Sequence, residues 1–122
     1  MNSPGRSIVV FGVYVVVVGL GFLLIPNTVL PIFGFPTTTE VWIRVLGLLA
    51  AALSLYYFYS ASRNDLHFFR ISVVGRIIFF IGMTALALLN LGGPMLIAFG
   101  LVDLLGAAWT WWALRSQGQW TI

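Results

Sequence analysis

The amino-acid sequence predicts an all-α membrane protein, a bundle of four antiparallel transmembrane helices. Of its 122 residues, 61% are hydrophobic and only 7% are charged, whereas a soluble domain carries about 25% charged residues. The apolar residues fall into four blocks, each close to the roughly 20 residues that a helix needs to cross a bilayer. Proline, glycine or polar residues separate these blocks. Composition therefore excludes a soluble enzyme, a disordered tail and a disulfide scaffold.

The first predicted helix begins after Arg6 and stops at Pro26. No small-x-small cleavage site follows this block, so we interpret it as a retained signal anchor. Backbone amides cannot stay unpaired in lipid, and each block should therefore be helical. The predicted helices form a single transmembrane domain and cover about residues 8–25, 40–59, 68–90 and 95–114.

The other three helices each follow a start or stop signal in the sequence. Thr37 and Glu40 form a predicted capping box before the second helix. Asp65 is a predicted N-cap for the third helix. Gly92 is a predicted C-cap after that helix, and Pro94 suits the first position of the fourth.

The distribution of arginine predicts the orientation. Arg6, Arg63, Arg70 and Arg115 flank the predicted helices on one side, and the two connections on the opposite side contain no Arg or Lys. The positive-inside rule therefore places both termini in the cytoplasm. The predicted location is a bacterial inner membrane or a plasma membrane.

Aromatic residues cluster on the same side. We interpret Tyr56, Trp109 and Trp112 as interfacial anchors, because Trp and Tyr are enriched where the bilayer meets water. The alternative is an aromatic-walled entrance for a flat or lipidic ligand.

Three charged residues lie within the predicted helices, where a charge costs at least ~2.5–3.5 kcal/mol. Counted from the helix ends, Asp103 lies between Arg44 and Arg76 in depth. We therefore expect these three side chains to meet in a common interior. Glu40 is placed to neutralise Arg44 from four residues away. Asn90 shares a helical stripe with Arg76 and completes the candidate polar core.

Two interpretations of this core stay open. Ser72 lies on the same stripe as Arg76, and Thr110 on the same stripe as Asp103, whereas only glycines stand out in the first helix. The set is either an ion network that fixes how the helices pack, or the lining of a cavity for an anion, a headgroup or a transported proton.

Several kinds of chemistry lack the residues they need. The chain has no cysteine and a single histidine, His67, so we predict no metal site, no thiol chemistry and no cofactor. No serine stands in a motif that supplies a base, and no catalytic residue is predicted. The arginines are scattered, so nucleic acid is not an expected partner.

Three stretches within about residues 40–115 carry a resemblance to known proteins: VWIRVLGLLAAALSLYYFYSASR, VVGRIIFF and GLVDLLGAAWTWWALR. In these stretches the sequence resembles the DoxX-like small four-helix membrane protein families, which are largely of unknown function. The resemblance implies a four-helix bundle, either of unknown activity or acting as a membrane partner of other proteins. It also implies that Arg44, Arg76 and Asp103 are the candidates for the polar core.

These observations favour a non-enzymatic role. We expect an accessory or scaffold subunit that holds a lipidic or hydrophobic ligand in a core containing Arg and Asp. The alternative is an oligomeric transporter or channel with Asp103 and Arg76 on its pathway. A membrane enzyme acting on a lipid or quinone is disfavoured, because no acid–base pair is visible. The expected partners are the bilayer and either further copies of the chain or a larger membrane protein.

Overall fold

The computed structural model describes residues 3–121, and this part of the chain is all-helical, without a strand. The all-α prediction is confirmed, and a short helix between the first two long ones adds a fifth element. Four of the helices are long and apolar enough to cross a membrane. The helices are α1 (Ser3–Leu24), α2 (Pro26–Ile32), α3 (Trp42–Ser62), α4 (Leu66–Leu88) and α5 (Met95–Ser116).

The last four helices end in the same way. A residue with positive φ follows each end, and the next backbone N–H donates to a carbonyl five residues back, as Leu91 does to Leu86 at 3.0 Å. This is the Schellman motif, which satisfies carbonyls that the helix leaves unpaired. Asn90 is therefore a helix terminator on the surface and does not belong to the polar core predicted from its stripe. The four residues with positive φ are Gly34, Asn64, Asn90 and Gly118.

The helix starts differ in how they are capped. The Asp65 carboxylate accepts the N–H of Phe68 at 3.2 Å, so the predicted N-cap of α4 is confirmed. The capping box predicted at Thr37 and Glu40 is wrong, because α3 begins only at Trp42 and has no side-chain cap. Glu40 lies before the helix, where its carboxylate accepts the indole N–H of Trp42.

Helix α1 is central to the arrangement. It packs against all four other helices, and α4 packs mainly against α5. At one end, the first half of α1 contacts the last turns of α3 and α5 and the start of α4. At the other end, the last turn of α1 contacts α2 and the start of α3. Buried residues of the first cluster include Ile8, Phe11, Tyr57, Phe69 and Leu114, and those of the second are Phe22, Leu30 and Ile43.

Glycines bring α1 and α3 into backbone contact. A Cβ added to Gly47 would lie 2.5 Å from the carbonyl oxygen of Gly19 and 2.6 Å from the backbone nitrogen of Leu23. Backbone atoms cannot rotate away as a side chain can. The small residues of these two helices therefore allow close packing, which positions α1 for its contacts with α4 and α5.

We expect Gly47→Ala to destabilise the fold by ~1–3 kcal/mol, because the added methyl group forces two helix backbones apart. The measurement is the thermal unfolding midpoint in detergent micelles. Gly82→Ala is the matched control, since nothing lies within 4 Å of a Cβ at that position. The control should be neutral or stabilising by up to ~1 kcal/mol, through helix propensity. Equal losses in the two variants would contradict the backbone contact.

Candidate functional site: a buried arginine and two apolar grooves

Arg76 is the most deeply buried charge of the described residues, at 2% exposure in the middle of α4. Its guanidinium carbon lies 4.8 Å from the ring centroid of Phe11 on α1 and 6.0 Å from that of Tyr57 on α3. Aromatic ring faces attract cations, and the attraction is stronger where water is absent. The two rings therefore offset part of the cost of removing this charge from water.

Hydrogen bonds continue from Arg76 into two other helices. Its Nε donates to the Ser72 carbonyl at 3.1 Å, and its Nη2 donates to Ser72 Oγ at 3.0 Å and Thr110 Oγ1 at 2.9 Å. Thr110 Oγ1 lies 2.7 Å from Ser7 Oγ, which donates to the Pro4 carbonyl at 2.7 Å. Ser7 donates its single hydroxyl proton to the Pro4 carbonyl, so the Thr110 hydroxyl must donate to Ser7 Oγ. A single chain of donors thus joins α4, α5 and α1.

One nitrogen of the guanidinium is left over. Nη1 of Arg76 is buried and has no hydrogen-bond partner within residues 3–121. It lies beside Gly106, where an added Cβ would be 3.1 Å from Nη1 and 2.9 Å from Cδ1 of Phe11. Glycine at this position is what leaves room for the guanidinium against α5. A buried donor without a partner costs stability, which makes this atom the point where the core is incomplete.

Asp103 lies near this point but does not pair with Arg76. It is half-buried on α5, one turn before Gly106, and interacts electrostatically with Arg76, Tyr14 and Tyr57. Across the described part of the chain, however, its carboxylate forms no hydrogen bond and no ion pair. The predicted direct contact between Asp103 and Arg76 is therefore absent.

Arg44 does not belong to this cluster either. Its side chain is exposed, and Nη1 donates to the carbonyl of Leu23 at 2.5 Å, in the last turn of α1. A carbonyl at a helix C-terminus lacks an intrahelical donor and carries partial negative charge, so it attracts a nearby cation. The predicted network of Arg44, Asp103 and Arg76 is wrong for this reason. The expected neutralisation by Glu40 is also absent, since that carboxylate binds Trp42.

Sequence reasoning missed Ser7 as a member of the core. The predicted first helix began at residue 8, which left Ser7 outside the membrane segment. In the structure α1 begins at Ser3, and Ser7 is 1% exposed against Thr110. The sequence feature that could have identified Ser7 is its hydroxyl, which lies one turn before Phe11 on the same face of the helix.

An apolar groove, called here the α4–α5 groove, lies between the outer faces of these two helices. Its volume is about 310 Å³, at the small end of the range for ligand pockets. Trp120, from the tail after α5, closes one side of it. Side chains that line it include Val73, Ile77, Leu104, Ala108, Trp111 and Trp120.

A smaller groove of about 160 Å³ lies between α1 and α5. Its lining includes Ser7, Tyr14, Gly106 and Trp109. Gly106 therefore separates this groove from the unpaired Nη1 of Arg76.

The predicted interfacial aromatics are all exposed, with 62% exposure at Tyr56, 39% at Trp109 and 62% at Trp112. Trp109 lines the smaller groove, whereas Trp111 and Trp120 line the larger one. The aromatic residues nearest a ligand-sized space are thus neighbours of those singled out from the sequence. Over residues 3–121, no three His, Cys, Asp or Glu residues group together as a metal site would require.

Replacing Thr110 tests the hydrogen-bond chain. We expect Thr110→Val to lower the free energy of unfolding by ~1–3 kcal/mol, because one N–H of Arg76 loses its acceptor while buried. Thr110→Ser keeps the hydroxyl and should restore most of the loss. Thermal midpoints of the purified variants in one detergent make the comparison. A Val variant as stable as the Ser variant would contradict the chain.

No family model, curated protein or solved structure matches the chain.

Proposed function

We propose that this chain is an integral membrane protein with four antiparallel membrane-crossing helices. Large apolar side chains are exposed on all four long helices, whereas Arg76, Thr110 and Ser7 are buried between them. This distribution suits a lipid solvent, in which apolar groups face outward and polar groups pair inside. The packing of the first half of α1 beside the last turns of α3 and α5 supports the alternating directions.

We infer that both termini lie in the cytoplasm, in a bacterial inner membrane or a plasma membrane. Arg6, Arg63, Arg70 and Arg115 belong to the end of the bundle where α1 and α4 begin and α3 and α5 end. Arginine-rich ends of short membrane proteins stay on the cytoplasmic side. We call this the arginine-rich end below.

The function that the geometry supports best is non-enzymatic binding of a lipidic molecule, in an accessory or scaffold subunit. The observation that carries this proposal is the α4–α5 groove, which is apolar, ligand-sized and bounded by two tryptophans. The ligand position differs from the interior core expected from the sequence, because Arg76 is enclosed by α1, α3 and α5. The DoxX-like resemblance, with its role as a partner of other membrane proteins, is part of the same proposal.

The hydroxyl groups of the core favour binding over catalysis. Ser72 Oγ donates to the carbonyl of Phe69 at 2.8 Å, and Ser7 Oγ donates to that of Pro4. A nucleophilic serine needs a base to take its proton. Here each of these two protons is held by a backbone carbonyl, which is not a base of that kind.

A second candidate function is an oligomeric transporter or channel. The observation in its favour is the carboxylate of Asp103, which lies within a long apolar helix, interacts electrostatically with Arg76 and has no hydrogen bond to any of residues 3–121. Ionisable groups in membrane helices mark ion and proton pathways often enough to be tested. Gly12 and Gly19 of α1 pack against α3 and Gly21 packs against α2, so a partner copy would have to dock on another face.

Filling the α4–α5 groove tests the binding proposal. We expect the wild-type chain, extracted from membranes in mild detergent, to retain about one lipidic molecule per chain in native mass spectrometry. Ala108→Phe should abolish this retention by occupying the groove. Leu105→Phe is the matched control, since residue 105 lies on the same helix at 68% exposure and outside the groove lining. Retention by Ala108→Phe, or none by the wild type, would refute the proposal.

Replacing Asp103 separates the two candidate functions. Asp103→Asn should not lower the free energy of unfolding, because no hydrogen bond among residues 3–121 is lost and a half-buried charge is removed from an apolar helix. Proton flux into liposomes, followed with a pH-sensitive dye, should equal that of protein-free liposomes for both wild type and variant. Flux that Asp103→Asn abolishes and Glu40→Gln preserves would instead establish the transporter.

A further inference from the structure

Two arginines stand at one end of the α4–α5 groove, one on each of its walls. On α4, Arg70 precedes the lining residue Val73 by three positions. On α5, Arg115 follows the lining residue Trp111 by four positions. Residues three and four apart share a helix face. Both arginines therefore lie one turn beyond the groove lining, toward the arginine-rich end.

The hydrogen-bonding capacity of these two arginines is largely unused. Arg70 donates from Nε to the carbonyl of Gln119 at 3.1 Å, which leaves its two terminal nitrogens. The Arg115 side chain stacks on Trp111, with Cζ 5.3 Å from the ring centroid, and makes no other contact of a charged or hydrogen-bonding kind among residues 3–121. The acid nearest to Arg70 along the chain, Asp65, is occupied as the N-cap of α4.

The tail after α5 holds this arrangement in place. Gly118 has φ +67, and the N–H of Gln119 donates to the carbonyl of Leu114 at 2.8 Å. The tail therefore turns back along α5, where the Gln119 carbonyl accepts from Arg70 and Trp120 lies against the groove. An apolar space and a positively charged end are thus parts of one surface.

We infer that the α4–α5 groove binds an acyl chain of an anionic phospholipid whose phosphate is held by Arg70 and Arg115. This inference rests on the proposed function and names its ligand class. Guanidinium groups form bidentate, charge-assisted hydrogen bonds with phosphate, and Arg115 is already oriented by its stacking on Trp111. Anionic lipids are abundant in the leaflet that faces the cytoplasm, where the arginine-rich end is proposed to lie.

Charge argues against the other occupants of such a groove. A zwitterionic lipid would place a third cation beside the two arginines. An uncharged apolar molecule would use the groove and leave both guanidinium groups without an anion. Free phosphate would use the arginines and leave the apolar lining empty. The anionic lipid satisfies both halves of the surface.

The experiment is lipid competition followed by native mass spectrometry. The detergent-solubilised chain is mixed with equimolar phosphatidylglycerol and phosphatidylcholine that carry identical acyl chains. We expect the wild type to retain phosphatidylglycerol about 30-fold over phosphatidylcholine. The preference should fall to about fivefold in Arg115→Gln and to about one in Arg70→Gln/Arg115→Gln.

Arg63→Gln is the matched control. Arg63 lies at the same end and also stacks on a ring, that of Tyr59 at 5.6 Å, but it belongs to the turn after α3 and not to the groove. The control should keep the full preference. Thermal unfolding midpoints show whether each variant is folded. If the double variant does not fold, the reduced lipid preference of Arg115→Gln alone tests the inference.

The outcomes separate this inference from the proposed function. Equal retention of the two lipids by the wild type, with loss of both in Ala108→Phe, would overturn the headgroup assignment and leave the groove as a lipid site. No retention of either lipid would overturn both. Displacement of phosphatidylglycerol by millimolar inorganic phosphate would also refute the lipid assignment. The arginines would then bind phosphate independently of an acyl chain in the groove.

Discussion

The burial of one guanidinium group is the constraint on which the rest of the structure depends. Arg76 lies in the middle of an apolar helix, and the cost of placing it there requires partners from several elements at once. Phe11 and Tyr57 supply ring faces, Thr110 supplies a hydroxyl, and Gly106 supplies space. These residues come from α1, α3 and α5. The long helices must therefore converge at the level of Arg76. The larger of the two buried apolar clusters includes the same two aromatic residues, Phe11 and Tyr57.

The central position of α1 explains why the α4–α5 groove lies elsewhere. Glycine contacts bring α3 onto α1, and α5 packs on a different side of α1, so α4 is left to pack mainly on α5. Two helices that share one interface leave a depression between their outer faces. The small residue Ala108 deepens it, and Trp120 borders it from the tail. The groove thus results from the same packing order that encloses the arginine.

The helices and the interior position of Arg76 could be predicted from the sequence, but most contacts of the charged residues could not. Helix positions follow from apolar block length, and the Asp65 cap follows from local chemistry. Counting residues gives the positions of Arg44 and Asp103 along their helices, but not the direction in which each faces around its helix. Arg44 pairs with a backbone carbonyl of α1, which no side-chain pattern reveals. Ser7 was not predicted as a core residue, because the apolar block does not show how far the helix extends into the polar sequence before it.

The chain of donors between Arg76 and Pro4 has a consequence for how the first and last helices are aligned. Arginine can only donate and a carbonyl can only accept, so the two hydroxyls between them each have one allowed orientation. A slide of α1 along α5 by one turn would bring Ser7 level with Gly106 or Ala113, and neither side chain offers an oxygen. The hydroxyl pair therefore selects a single vertical register, which apolar surfaces alone would leave degenerate.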